Sequence, residues 1–452
     1  MSDQLAAYLS EHSGDALALL ERLCRQPSVA AQNLGIAEMA DLVESLLKET
    51  SFQTRRLLVE GAPPAIFAEL PGASDYTVLL YNHYDVQPPE PFELWKSPPF
   101  EPMVRDGKLF ARGASDNKGQ IAARLTAIRA LQAVYGTLPI TLHWIIEGEE
   151  EIGSPHFETL AQKYADVLRA DGGLWEGSGF DYTGRPQLTL GCKGLLYVQL
   201  DVDGAGIDAH SGNAPILPSA AWRLVQALAT LRTPEGKVRI PGFYADVAPP
   251  SEALLAAIAD QSPQDDVLRE AFHVNRFVDN LSGAALLERL SFEPTCNLAG
   301  LLSGYTGEGS KTVLPRHAMA KIDFRLVPNQ DPDDIYAKLR AHLDAEGYQD
   351  IRITVFGKAD PVITPIDNPF VQRIARIAEA FEGKRPVITP SSGGTLPLLG
   401  SLRRYVGLPG LSAPDNVTYW ANGAHAPNEH IRLADLERAV RFNCFLFQQL
   451  GA

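Results

Sequence analysis

Four carboxylates crowd the segment Ile145-Ile146-Glu147-Gly148-Glu149-Glu150-Glu151-Ile152-Gly153-Ser154, directly after an apolar run that reads as a buried strand. A charge run usually marks a solvated face, but the carboxyl end of a strand is also where open α/β sheets place their sites. Adjacent carboxylates repel unless something positive holds them. A divalent metal would do so, leaving one carboxylate as ligand and its neighbour as base to an attacking water. A second pattern is Leu79-Leu80-Tyr81-Asn82-His83-Tyr84-Asp85. Strand period two puts His83 and Asp85 on one face, where Asp85 could fix the tautomer of a metal-bound imidazole. Taken alone, such a pair more commonly holds a structural histidine. A third pattern is the glycine-flanked loop Gly113-Ala114-Ser115-Asp116-Asn117-Lys118-Gly119. It either aims Asp116 at a cation or uses it as a helix N-cap.

Three further residues break their contexts: Glu176 after Leu174-Trp175, His210 in Asp208-Ala209-His210-Ser211-Gly212, and His425 in the turn-rich stretch from Asn422 to Glu429. Each is as readily structural when read singly. Histidine and carboxylate ligands without thiolates suit zinc, manganese or cobalt.

The elements that must position these residues follow from periodicity. Leu17, Leu19, Leu20 and Leu23 recur at helical spacing until Pro27, and a second helix reads from Ile36 to Leu47. Strands read at Ala65 to Leu70, Thr77 to Tyr81 and Ile140 to Ile146, with a helix from Gln120 to Val134. Such alternation predicts helices over a largely parallel sheet. Near Gly194 the texture changes: LLYVQLDVDG alternates apolar with polar residues, as a half-exposed strand would. A helix from Ala220 to Leu231, strands at Ala318 to Leu326 and Ile351 to Val355, and a helix from Asp334 to Ala345 complete a small α+β unit. Helices resume from Asn368 to Phe381 and from Leu433. The expected division is a catalytic domain split as 1–192 and 361–452, with 193–360 inserted.

At 452 residues the chain exceeds one ordinary core. A formal net charge of -15 argues against a nucleic-acid partner. Cys24, Cys192, Cys296 and Cys444 are too scattered for a zinc ribbon or disulfide scaffold, and reduced thiols in a cytoplasmic protein are the simplest reading. The acidic N-terminus lacks the form of a secretory signal, and no apolar stretch is long enough to span a membrane.

In order along the chain, HYDVQPPEPFELWKSPPFEP, GKLFARGASDNKGQ, EGEEEIGS, GYTGEGSKTVLP and IDFRLVP resemble segments of the dinuclear zinc metallopeptidase family. That family comprises cytosolic dipeptidase (carnosinase), acetylornithine deacetylase, succinyl-diaminopimelate desuccinylase and glutamate carboxypeptidase, and the dipeptidase branch is the most similar. The resemblance implies an α/β two-metal exopeptidase domain with an inserted α+β (βαβ-type) dimerisation and lid domain. It implies that His83, Asp116 and Glu176 hold one divalent metal, and that Asp116 bridges to a second held by Glu151 and His425. Zinc is the first choice of metal, with manganese or cobalt also suited. Asp85 would orient His83, and Glu150 would be the base activating a metal-bridging water. The extra Glu149 leaves a Glu149–Glu150 register open, although the following Ile-Gly-Ser favours Glu150–Glu151. In a homodimer, His210 would reach the partner's site to stabilise an oxyanion. Arg325, with Gly394 and Thr395, would bind the substrate carboxylate.

One departure is Ser391-Ser392-Gly393-Gly394-Thr395, where the dipeptidase branch tends to read Arg-Glu-Gly-Gly-Ser. The expected activity is therefore hydrolysis of a peptide or amide bond in dipeptides or similar small substrates with a free carboxylate. An N-acyl-amino-acid amidohydrolase or carboxypeptidase-type enzyme is the alternative. A silent binding protein would not need five intact ligand positions, and a carboxylate-pair glycosidase would leave the histidines idle.

Overall fold

The computed structural model describes residues 1–452. Its largest element is an eight-stranded mixed sheet in which Thr141–Glu147, Thr77–His83 and Gly172–Trp175 are adjacent and parallel. The alternating pattern predicts a largely parallel sheet, but Gln53–Leu57 pairs antiparallel with Ala65–Leu70, and Ala65–Leu70 with Thr141–Glu147. Gln53–Leu57 and Ala65–Leu70 follow one another through a short connection, as antiparallel neighbours can, whereas parallel pairs need long crossovers. The parallel core is therefore confined to the strands that the helices connect.

Thr77–His83 is buried at every position after Thr77, as expected of a strand covered on both faces. One cover is the helix Lys118–Tyr135, whose Gly119, Ala122, Ala123, Ala127 and Ala130 are all buried. Small residues let it lie close between the sheet and the helices Asp15–Arg25 and Leu433–Leu450. Arg124, at the centre of this helix, is fully buried and pairs with buried Asp415, Nη2 to Oδ2 at 2.7 Å. Its Nη1 also donates to Tyr81 O at 2.8 Å and Asn82 Oδ1 at 2.7 Å, and Nη2 to Trp175 O at 3.2 Å. A buried charge is tolerated only when such partners are present. Here they clamp together the ends of two parallel strands.

A second sheet runs in the order Asn297–Ser303, His317–Leu326, Gly194–Asp203, Arg352–Ala359, antiparallel throughout. Burial alternates residue by residue along Gly194–Asp203 and His317–Leu326. The buried face packs on the helices Ala220–Leu231 and Pro332–Ala345, and the other stays open, as the alternation predicts. The intervening helix Glu252–Ala259 packs back against Val387–Thr389 of the large sheet, where Gln261 Nε2 donates to Ile388 O at 3.2 Å. No helix is long and apolar enough to cross a membrane.

Candidate metal centre

The three parallel strands end side by side, with His83 opposite Glu147 in register and Leu80 opposite Leu174. Their carboxyl ends consequently deliver His83, the Glu149–Glu151 turn and Glu176 to one place, as open α/β sheets do. Gly148 makes the turn possible, since a Cβ there would lie 2.3 Å from the Tyr84 ring. The loop before Lys118–Tyr135 brings Asp116 from a different direction. Gly113, at φ +82, has room for no Cβ because Val86 Cγ1 would lie 2.7 Å from it. Asp116 does not cap the helix: Asn117 holds the N-cap position and makes no side-chain cap bond.

His83 Nε2 lies 3.0 Å from Asp116 Oδ1, 2.9 Å from Glu176 Oε2 and 4.0 Å from Glu150 Oε2. His425 Nε2 lies 3.0 Å from Asp116 Oδ2 and 3.2 Å from Glu151 Oε2. Asp116 therefore shows one oxygen to each imidazole. His425 itself adopts φ 64, a left-handed conformation uncommon outside glycine and frequent at functional sites.

Asp85 supports this arrangement in a way that strand periodicity alone does not predict. His83 Nδ1 is 3.0 Å from the Asp85 backbone carbonyl and 3.4 Å from its Oδ1. The carboxylate meanwhile accepts the N–H groups of Glu150 at 3.2 Å and Glu151 at 3.0 Å. Asp85 thus orients the histidine and fixes the acidic turn together. Gln87 Nε2 donates to Glu151 Oε2 at 2.8 Å. Glu149 points elsewhere, to His156 Nδ1 at 2.9 Å, so the pair facing the cluster is Glu150 and Glu151.

The electrostatics express a surplus of negative charge. Burial opposes protonation of the His83 imidazole, but Glu176, Asp116 and Asp85 outweigh it and hold its pKa well above the usual range. Asp116 and Glu151, as acceptors of hydrogen bonds from the protonated imidazole, push His425 up to about 10. Asp116 resists the upward push of burial because His425 and His83 hold it below the usual carboxylate range. For Glu150 and Glu176, burial and the neighbouring carboxylates outweigh the lowering effect of His83, and both are pushed above the usual carboxylate range.

Whether the donors suit a metal is a question of lone pairs. With Nδ1–H donated to the Asp85 carbonyl, a tautomer assigned from its partners, Nε2 is the atom that faces the oxygens of Asp116 and Glu176, and a metal bound there would displace its proton and take its lone pair. Glu176 Oε2 is buried and receives no hydrogen bond. Imidazole nitrogens and carboxylate oxygens converging at this spacing are the donor set of a divalent cation, which would replace the protons they share. Compact triads within the cluster are His83 with Asp116 and Glu151, and His83 with Glu150 and Glu176; neither includes His425, which reaches the cluster through Asp116 and Glu151.

A cleft of about 690 Å³ opens beside the cluster and includes Asp116, Glu176, Gly394 and Thr395 in its lining. Arg325 Nη1 donates to Thr395 Oγ1 at 2.7 Å, which joins those two residues across the sheets. His210 is not with the cluster: it is exposed, and its Nδ1 accepts the Gly212 N–H at 3.0 Å. Glu429, a fully buried carboxylate behind the Asp116 loop, is not among the residues that motif and spacing single out. Its only signal was an acid at the end of the His425 turn.

A mixed α/β sheet that gathers imidazoles and carboxylates at its parallel strand ends defines a metal-dependent hydrolase. The chain belongs to peptidase family M20/M25/M40, whose model matches residues 79–449. The Cys-Gly metallodipeptidase dug1 of Schizosaccharomyces pombe is 27% identical over 100% of this chain and 98% of that protein. Human Beta-Ala-His dipeptidase is 30% identical over 62% of this chain and 56% of its own length. Among solved structures, the M20 family metallo-carboxypeptidase Sso-CP2 from Sulfolobus solfataricus is 35% identical with a TM-score of 0.92, covering 97% of this chain and 99% of that one.

The geometry generates a register test. Glu150→Gln keeps size but removes proton acceptance, so turnover should fall at least about a hundredfold while metal content persists. Glu149→Gln, which loosens only the His156 contact, should change turnover little. Metal loss in Glu150→Gln would instead make Glu150 a ligand.

Proposed function

We propose that this protein hydrolyses dipeptides or similar small substrates bearing a free carboxylate. The observation that carries the reading is Asp116, with one oxygen 3.0 Å from His83 and the other 3.0 Å from His425. His83, Asp116 and Glu176 would hold one divalent ion, and Asp116, Glu151 and His425 a second. Zinc is the first choice, and manganese or cobalt would also suit these donors. Bound there, such ions would supply Lewis acidity toward the scissile carbonyl and the attacking water. Glu150 takes a proton from the attacking water onto its carboxylate and returns it to the leaving amine as the C–N bond breaks. Arg325, fixed by Thr395, binds the substrate carboxylate, and Gly394 supplies an unobstructed wall.

The matching Schizosaccharomyces pombe and human proteins, named as a metallodipeptidase and a dipeptidase, support the dipeptide reading. A second reading, removal of the C-terminal residue from longer peptides, is favoured by the 35% identical metallo-carboxypeptidase. Both need the same carboxylate recognition. We further assign the catalytic domain to 1–192 and 361–452, the inserted domain to 193–360, and the protein to the cytoplasm.

A homodimer through the inserted sheet is supported by its edge strand, Asn297–Ser303, where Leu298, Leu301 and Leu302 are exposed. Apolar edge strands of this kind invite pairing. An exposed His210 then serves the neighbouring subunit by donating to the developing oxyanion.

Two measurements test these assignments. Dipeptides should be cleaved, their N-acylated counterparts should not, and chelation should abolish turnover until zinc, manganese or cobalt is restored. Full activity of metal-free protein, or faster turnover of N-acyl amino acids, contradicts the proposal, and release of C-terminal residues from N-blocked tripeptides selects the second reading. For the dimer, His210→Ala should lower turnover by about 10²–10³, the usual effect of losing an oxyanion donor. Mixing His210→Ala with Glu150→Gln subunits should restore about one working site per heterodimer, because one site inherits both lesions and the other neither. Heterodimers without recovery would remove His210 from the partner's site.

A further inference from the structure

The antiparallel pairing of His430–Arg432 with Lys108–Phe110 sets Glu429 against the start of the Asp116 loop. Ala111 N–H donates to the Glu429 backbone carbonyl at 3.1 Å. The Glu429 side chain then turns inward, fully buried, and is saturated with donors. Its Oε1 accepts the N–H groups of Ser115 at 2.8 Å and Asp116 at 3.0 Å. Its Oε2 accepts Gly113 N–H at 3.0 Å and Arg112 Nη1 at 2.8 Å. Arg112 continues the linkage, since its Nη2 donates to His425 O at 3.3 Å and Pro88 O at 3.2 Å.

A buried anion near Asp116 would be costly if its purpose were packing alone. Three of its four donors are instead backbone N–H groups of the loop that carries Asp116, the fourth is the Arg112 guanidinium, and Glu429 itself ends the turn that carries His425. We propose that Glu429 is the positioning residue of the metal centre, gripping the Asp116 loop by its backbone and locking it to the His425 turn. This rests on the reading of His83, Asp116, Glu151, Glu176 and His425 as the ligand set. Glu429 touches neither the ligand atoms nor the cleft, so it acts through the two residues it aligns. His83 and Glu176 are held by the parallel strands and do not depend on it. The ion held by Asp116, Glu151 and His425 does, because two of its three ligands sit on the segments Glu429 joins.

Glu429→Gln replaces one acceptor oxygen with an N–H₂ group that faces backbone donors. Zinc titrated into chelator-stripped full-length protein should show one ion bound within about threefold of wild-type affinity and the other weakened at least about tenfold, the usual effect of losing a ligand's supporting partner. Because that variant strands the Arg112 guanidinium, Glu429→Gln/Arg112→Met is measured beside it and should show the same selective loss. Wild-type affinity for both ions in either folded variant overturns the proposal. Equal weakening of both ions, with a lowered unfolding temperature, overturns it too by making Glu429 a general strut. If the wild-type protein itself binds no zinc, the ligand reading fails first and takes this inference with it. A third measurement needs no variant: amide hydrogen exchange across residues 111–117 of metal-free wild-type protein should stay slow, at least about tenfold below the rate of an unprotected loop. Unprotected exchange there would show that Glu429 does not hold the loop, and would overturn the proposal even if neither variant folds.

Discussion

Like charges forced together in a poorly solvated pocket govern this structure. Asp116, Glu150, Glu151 and Glu176 converge on two imidazoles, and Asp85 lies directly behind His83. In a low dielectric such repulsion is strong, and the two histidines cannot balance it even when both are protonated. The cluster persists because each carboxylate is carried by a segment fixed elsewhere. Three come from the ends of adjacent parallel strands, and the fourth from a loop braced at its backbone. A divalent cation is the species whose charge and coordination answer that surplus.

The supports repeat one device at two depths. Arg124 with Asp415 lies under the strand ends, and Arg112 with Glu429 lies behind the Asp116 loop. Buried ion pairs contribute little net stability because desolvation offsets their attraction. Their value here is directional. Arg124 reads the carbonyls of Tyr81 and Trp175, and Glu429 reads the amides of Gly113, Ser115 and Asp116. Apolar packing could fill the same volume but could not fix the angle at which a loop presents its carboxylate.

Much of this was legible in the chain because periodicity and burial coincide. The apolar run before His83, the small-residue helix after Asp116 and the alternation in Gly194–Asp203 each announce the face they bury. Three-residue strands such as Val387–Thr389 and Gly410–Ser412 are too short to show a period, and the helices between 252 and 292 carry no motif that would mark them. At the site, the clustering of unlike residues around one locus follows from strand ends that the sequence places in order. The grip of Asp85 on the Glu150 and Glu151 amides, one through each carboxylate oxygen, was hidden, since a bond to backbone leaves no trace in residue types. Glu429 was hidden for the same reason, its partners lying more than 300 positions earlier in the chain. His210 is legible only as a motif, because within one chain it sits exposed on a short strand opposite Val313, away from the carboxylate cluster.

The proposed chemistry requires that Asp116 be shared between two ions. Anomalous diffraction from zinc-soaked crystals of the full chain tests this directly. Two peaks are expected, one at about 2.0–2.2 Å from His83, Asp116 and Glu176 and the other at the same range from Asp116, Glu151 and His425. A single peak, or a pair that leaves Asp116 uncoordinated, would contradict it.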